Sequence, residues 1–244
     1  MKNWKIYISI VAIYLLMQFG SLPLRDMFIG YFQTSGMSEL DAIMYGIAWG
    51  LFIANVIAAP IMFFMTTRNK KFWNIFKKGK KASFGKTILW GVLGFLLAMA
   101  GQMLAAIIEM SLGIMPGSQN TSDLGNIAKV APIIIISIVI FAPLLEELVF
   151  RRVLFGGIYT KTNFWIAAIA SGLIFAAVHN EFEHLLMYMT PGLIFAFIYY
   201  YTQRIWAPMI SHMLMNGFVT IAQLNADKLE EIQKMKQAII IFFQ

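Results

Sequence analysis

Seven runs of mostly apolar residues, near 6–24, 42–66, 87–115, 131–158, 164–180, 185–203 and 205–224, dominate this 244-residue chain. About 20 such residues are what a helix needs to cross the hydrocarbon core of a bilayer. In that medium every backbone N–H and C=O must be satisfied within the chain, so the runs are expected as helices. Only 13% of the residues are charged and the mean hydropathy is +0.71. A soluble domain carries about 25% charged residues, so the chain lacks the polar surface that water requires. The reading is all-α: a polytopic helical membrane protein with about seven to eight transmembrane helices, one membrane domain over 1–244, with the lipid bilayer as its first partner.

The charges between the runs alternate in sign. Lys2 and Lys5 precede the first run, and Arg68, Lys70, Lys71, Lys77, Lys78, Lys80, Lys81 and Lys86 crowd the segment after the second. Between two apolar spans such a cluster reads as a cytoplasmic loop held at an anionic leaflet, not as a nucleic-acid surface. The segment 116–129 is nearly neutral, Asn180 to His184 is acidic, and Lys161 and Arg204 are basic. The positive-inside rule therefore places the N-terminus, 68–86, the turn near 160–163 and Arg204 in the cytoplasm. Trp90, Trp165 and Trp206 fall just inside spans leaving that side, as an aromatic belt would place them. The first run imitates a signal peptide but carries no A-x-A-like cleavage site, and is expected as a retained span. Residues 225–244 read as an interfacial helix or a partial eighth span. With no cysteine, neither a thiol nucleophile nor a thiolate metal ligand is possible.

Ionisable groups inside a span are costly, about 2.5–3.5 kcal/mol each on insertion scales, and usually mark function. The fourth run holds Glu146, Glu147 and Arg151. Glu147 and Arg151 stand at i and i+4, on one helical face and in the favourable order, so that pair neutralises itself. Glu146 is left without a local partner, and an apolar setting drives a lone carboxyl toward the range of a general base. The alternative is that both acids merely close the span at the interface. Phe175 with His179, and His212 with Asn216, are further i, i+4 pairs on the fifth and seventh runs. A hairpin turning near 160–163 puts Glu146 and His179 both about 22–26 Å from the turn at 1.5 Å per residue. By the same measure His212, eight residues past Arg204, falls nearer the cytoplasmic side.

Other intramembrane chemistries fit poorly. There is no His-Glu-x-x-His, the four aspartates lie outside the apolar cores, and Ser171-Gly172 lacks the context of a rhomboid-like serine site. The run Glu146-Glu147-x-x-x-Arg151, then Phe175-x-x-x-His179, then His212-x-x-x-Asn216 resembles, in order, the three motifs of the CAAX-protease and bacteriocin-processing family. That family includes the type II CAAX prenyl proteases. The likeness covers about residues 131–224, the expected catalytic core; residues 1–130 match only in being membrane spans.

The resemblance implies an intramembrane endopeptidase. Glu146 would activate the attacking water and His179 would orient it. His212 and Asn216 would stabilise the oxyanion, and Glu147 with Arg151 would hold the site's shape. The family's metalloprotease label leaves zinc open, with Glu146, His179 and His212 as candidate ligands; a metal-free glutamate site is the other reading. The small size and compact loops point to a bacterial cell membrane and to a membrane-associated peptide or propeptide as substrate. Two rivals from other classes stand beside this: a non-catalytic bacteriocin-immunity or peptide-binding scaffold, and a small transporter using Glu146 and the histidines as a proton relay. Glu109 and Gln102 in the third run have no assigned role; Glu109 reads as an outer-interface or cavity residue.

Overall fold

In the computed structural model, which describes residues 3–69, 71–76, 79–226 and 228, every regular element among those residues is helical. The long helices are α1 (Asn3–Thr34), α2 (Glu39–Thr67) and α3 (Phe84–Ser111). They are followed by α4 (Gln119–Val130), a composite α5 over 134–159, α6 (Phe164–Ala177), α7 (Leu185–Thr202) and α8 (Trp206–Leu224). The tail expected as an eighth span lies outside the described residues apart from 225, 226 and 228.

Local signals set the helix starts. Ser38 accepts from the Asp41 N–H, and Ser118 accepts from the Thr121 N–H, each covering a donor that a helix start leaves unmet. Asn163 does the same for α6 through Ile166. Ser118 explains why 116–129, read from sequence only as an external polar segment, contains the 12-residue helix α4.

The distribution of side chains is inverted relative to a soluble protein. Glu109, Glu147, Arg151, Arg152, His184 and His212 are buried, while Leu16, Phe19, Met103, Leu104 and Ile221 are each more than 60% exposed. Large exposed apolar surface of this kind suits lipid, not water. Four helices, Trp4–Thr34, Glu39–Thr67, Phe84–Ser111 and Phe182–Thr202, are long and apolar enough by length and composition to cross a membrane, and Phe164–Ala177 is a shorter apolar helix. The helix that carries Glu146 and Glu147 is α5, and it is interior: every residue from Glu147 to Val153 is buried. Glu147, Arg151 and Arg152 on it are enclosed by protein, not hydrocarbon.

Lipid tails are as apolar as leucine, so close packing and polar pairing hold such a bundle together. At Gly50 a Cβ would lie 2.6 Å from the Arg25 backbone nitrogen and 3.0 Å from the Ser21 carbonyl oxygen. Only glycine lets α1 and α2 approach backbone to backbone there. Gly192 does the same for α7 against α6, where a Cβ would meet the Gly172 Cα at 3.1 Å.

The segments expected on one side of the membrane gather at one end of the bundle. Phe72 packs edge-on against Tyr7 of α1, and Phe76 against Tyr159 at the end of α5 and Tyr200 of α7. Arg204 donates through Nε to the Ala82 carbonyl at 3.0 Å. The basic segment is thus more than a loop: Phe72 and Ile75 are buried in the cores they join. Arg152 is fully buried against Phe72. Its guanidinium carbon lies 3.9 Å from that ring's centroid, and Nη1 donates to the Tyr7 hydroxyl at 3.0 Å. Opposite, Ser118, Asn120, Glu181 and Tyr188 form the other end.

Candidate active site

Two stretches of α5 are wound as π-helix, Ser137–Phe141 and Glu147–Phe155. Such segments are rare and concentrate at functional sites. Glu146 ends the short α-helical piece between them, and Glu147 begins the second. His212, expected nearer the basic end, in fact meets the acids of α5: its Nδ1 lies 2.8 Å from Glu147 Oε1.

The two adjacent glutamates have opposite surroundings. Glu147 is fully buried and saturated with partners. Its Oε1 accepts from His212 Nδ1 at 2.8 Å, and its Oε2 lies 3.0 Å from Arg151 Nε. The Arg151 contact is within ion-pair distance but is not aligned as a hydrogen bond, so we treat it as charge pairing. The Arg151 guanidinium is further held between the rings of Phe175 and Phe195, at 4.6 and 5.2 Å. Glu146 has no such anchor. It lines a cavity of about 340 Å³ and its Oε2 stands 3.8 Å from His212 Nε2, beyond a hydrogen bond.

His179 and Asn216 line the same cavity. His179 Nδ1 lies 2.8 Å from the Phe175 carbonyl oxygen, which can only accept. Nδ1 therefore carries a proton, and the neutral ring presents the Nε2 lone pair. Tyr188 stacks on this imidazole, with centroids 4.1 Å apart and planes at 27°. Phe175 packs against His179, His212 and Arg151 at once. Asn216 donates through Nδ2 to the Ile138 carbonyl at 2.9 Å, within the first π segment. That amide nitrogen has two hydrogens, so one donor is left.

The fold thus brings Glu146, His179, His212 and Asn216 to one cavity and sets Glu147 and Arg151 behind it. The three candidate zinc ligands, Glu146, His179 and His212, share that cavity without forming a cluster. Among the described residues no three of His, Asp or Glu are disposed to hold a metal ion. Sequence reasoning missed the bond from Glu147 to His212, which are 65 residues apart, and the contribution of Tyr14, Asn55, Gln102 and Tyr188 to the cavity wall. Isolated polar residues in apolar runs were the available signal. Glu109 is neither an interface nor a cavity residue: it is buried, bonded to His184 Nδ1 and to the Met187 N–H, both at 3.0 Å.

At the opposite end, the Asn120 N–H donates to Glu181 Oε1 at 2.6 Å and the Tyr188 hydroxyl to Oε2 at 2.9 Å. Partial burial works to raise the Glu181 pKa, and these bonds with Ser118 outweigh it, so the carboxyl stays below its ordinary range.

Residues 128–218 match the family described as type II CAAX prenyl endopeptidase Rce1-like. The chain is 37% identical over 242 residues to "Membrane-embedded CAAX protease MroQ" of Staphylococcus aureus (strain USA300), covering 96% of this chain and 95% of that protein. It is 35% identical over 240 residues to "Putative membrane peptidase YdiL" of Bacillus subtilis (strain 168), covering 97% of each. A partial likeness, 32% over 117 residues, extends to "UPF0177 protein YxdF" of Lactococcus lactis subsp. lactis (strain IL1403), covering 46% of this chain and 62% of that protein. No solved structure matches. With its motif residues gathered at one cavity and near full-length relatives of this kind, the chain belongs to the Rce1-like family of CAAX-type membrane proteases.

Proposed function

We propose that the protein is an intramembrane endopeptidase that hydrolyses a bond of a membrane-associated peptide or propeptide with water activated by Glu146. One observation carries this reading: of two adjacent glutamates, Glu147 is fully buried and bonded to His212, while Glu146, partly exposed and without a hydrogen bond among the described residues, lines a cavity with His179 and His212. Glu146 takes a proton from water, and the resulting hydroxide adds to the scissile carbonyl carbon. His179 Nε2 accepts the water's other hydrogen and orients it. The developing oxyanion is met by the free hydrogen of Asn216 Nδ2 and by His212, whose ring is held by Glu147. Collapse of the tetrahedral intermediate breaks the C–N bond, and Glu146 returns the proton to the leaving amine.

The reaction on this reading needs no resident metal. What supports that is the spread of Glu146, His179 and His212 around the cavity, which does not bring three ligands together among the described residues. Zinc, if held, would sit among those three residues and lower the pKa of a bound water to about 7. The gathering of the basic segments at one end supports an orientation with the N-terminus in the cytoplasm.

The test is purified protein in lipid nanodiscs, assayed on a fluorogenic peptide library before and after exhaustive chelation, with elemental analysis of the same sample. Cleavage by the wild type that survives chelation and is lost in Glu146→Gln is the expected result. Stoichiometric zinc, with activity lost on chelation and restored by zinc, overturns the metal-free version. Full biological function in Glu146→Gln overturns the peptidase reading in favour of a binding scaffold. For orientation, Met115→Cys should label with an impermeant reagent in intact cells and Lys81→Cys only after lysis; the reverse pattern overturns it.

A further inference from the structure

Two polar side chains on the cavity wall are buried and unmatched. Asn55 of α2 is 1% exposed and Ser137 of α5 is fully buried. Both line the cavity that holds Glu146, and neither Asn55 Oδ1 nor Ser137 Oγ has a hydrogen-bond partner among the described residues. Buried polar groups are nearly always paired, and an exception at a cleft points to something the cleft binds. Packing alone does not account for Asn55, because a helix-bridging asparagine in a bilayer would spend its carbonyl on a neighbouring helix.

The rest of the wall indicates what that something is. Gln18 of α1, Gln102 of α3 and Gln223 of α8 also face the cavity. A carboxamide has the same donor and acceptor set as a peptide unit. Among the described lining residues Glu146 is the sole carboxylate and there is no lysine or arginine. Such a surface offers a free terminal carboxylate no permanent cation, only the two histidines of the site. It does have the groups to satisfy the N–H and C=O units of an extended, uncharged strand drawn out of water, which otherwise go unpaired.

We propose that Asn55 and Ser137, with Gln102, form a backbone-binding wall that holds an extended, uncharged stretch of substrate beside Glu146, an assignment that rests on the peptidase reading above. Asn55 Oδ1 accepts from a substrate N–H, and the Ser137 hydroxyl donates to a substrate carbonyl. Substrate register is then set partly by α2, a helix outside the 128–218 region that carries the family match.

The experiment uses the full chain in nanodiscs and the best-cleaved member of a fluorogenic peptide library in which uncharged peptides stand beside peptides with a free carboxylate next to the candidate scissile bond. That peptide is then N-methylated at one backbone nitrogen at a time. In the wild type a single position should raise KM roughly three- to tenfold, the loss expected for one hydrogen bond, with kcat changing less. Asn55→Leu should show the same raised KM on the plain peptide, and methylation at that position should add nothing more. Unchanged KM in Asn55→Leu, with full sensitivity to methylation, overturns the proposal. So does a library in which only peptides with a free carboxylate beside the scissile bond are cut. Ser137→Ala, a smaller change, is read alongside; should Asn55→Leu fail to insert, an unchanged KM in Ser137→Ala with no methylation-sensitive position in the wild type is equally fatal. The same comparisons are read as Kd in Glu146→Gln. Binding that depends on Asn55 without any cleavage by the wild type keeps the wall and sinks the peptidase reading. Cleavage without that dependence sinks the wall alone, and neither binding nor cleavage sinks both.

Discussion

The bundle holds two buried acid–histidine pairs of nearly the same chemistry, and only one adjoins the cavity that Glu146 lines. Glu147 and His212 meet at 2.8 Å, and Glu109 and His184 at 3.0 Å. Both acids are almost inaccessible. At the outer pair, Glu109 spends its second oxygen on the Met187 N–H, at the start of α7, and the acid next to His184 in sequence, Glu183, is exposed. At the inner pair the second oxygen goes to Arg151, and Glu146, next in sequence, lines a cavity together with His179 and Asn216. The distinguishing feature is therefore not the buried pair but what its neighbouring acid shares a cavity with.

Substitutions separate the two pairs. The largest loss of stability should come from Glu147→Gln, which strands Arg151 inside the protein; breaking a buried pair costs about 3–5 kcal/mol. Thermal unfolding in nanodiscs should show that drop for Glu147→Gln and little change for Glu146→Gln, although Glu146→Gln loses the cleavage. Equal stability of the two variants would remove the distinction between holding and reacting. Glu109→Gln should cost less, about 1–3 kcal/mol for a weakened buried hydrogen bond, and should leave kcat/KM on the fluorogenic peptide intact. A large fall in kcat/KM with an unchanged Tm would mean the outer pair also serves the chemistry.

The smallest effect concerns Glu181. Its carboxyl is held below the ordinary value, so its contribution to stability is present above that value and is lost as the pH falls through the depressed one. The Tm advantage of the wild type over Glu181→Gln should therefore hold near neutral pH, begin to fall once the pH drops below about 4, the ordinary carboxylate range, and vanish only below the depressed value. An advantage that instead disappears on raising the pH from 5 to 8 would show the sign to be wrong.

Helical spacing made part of this legible in advance. Glu147 and Arg151 pair because i and i+4 share a face, and that needs no knowledge of the fold. The gathering of Glu146 and His179 followed from counting residues on either side of a turn. The bond from Glu147 to His212 was out of reach, since it depends on how α8 is rotated against α5. Composition also carries no mark of π winding, which is a matter of hydrogen-bond register and not of residue type. Phe72 and Ile75 were hidden for a different reason: surrounded by lysines, they read as part of a solvated loop, although they fill the core beneath it.

The π segments of α5 make the rotation of this helix a matter of winding. If 137–141 returned to α-helical winding with its five residues kept, each residue would sweep more of the turn, and everything that follows would rotate against what precedes. Glu146 would turn from the cavity wall and Glu147 from His212 in the same step. Removing one residue along with that change would largely cancel the rotation, because a π turn holds one residue more than an α turn. The chain between Ser137 and Glu147 is therefore a ruler in which residue count and winding are matched to each other.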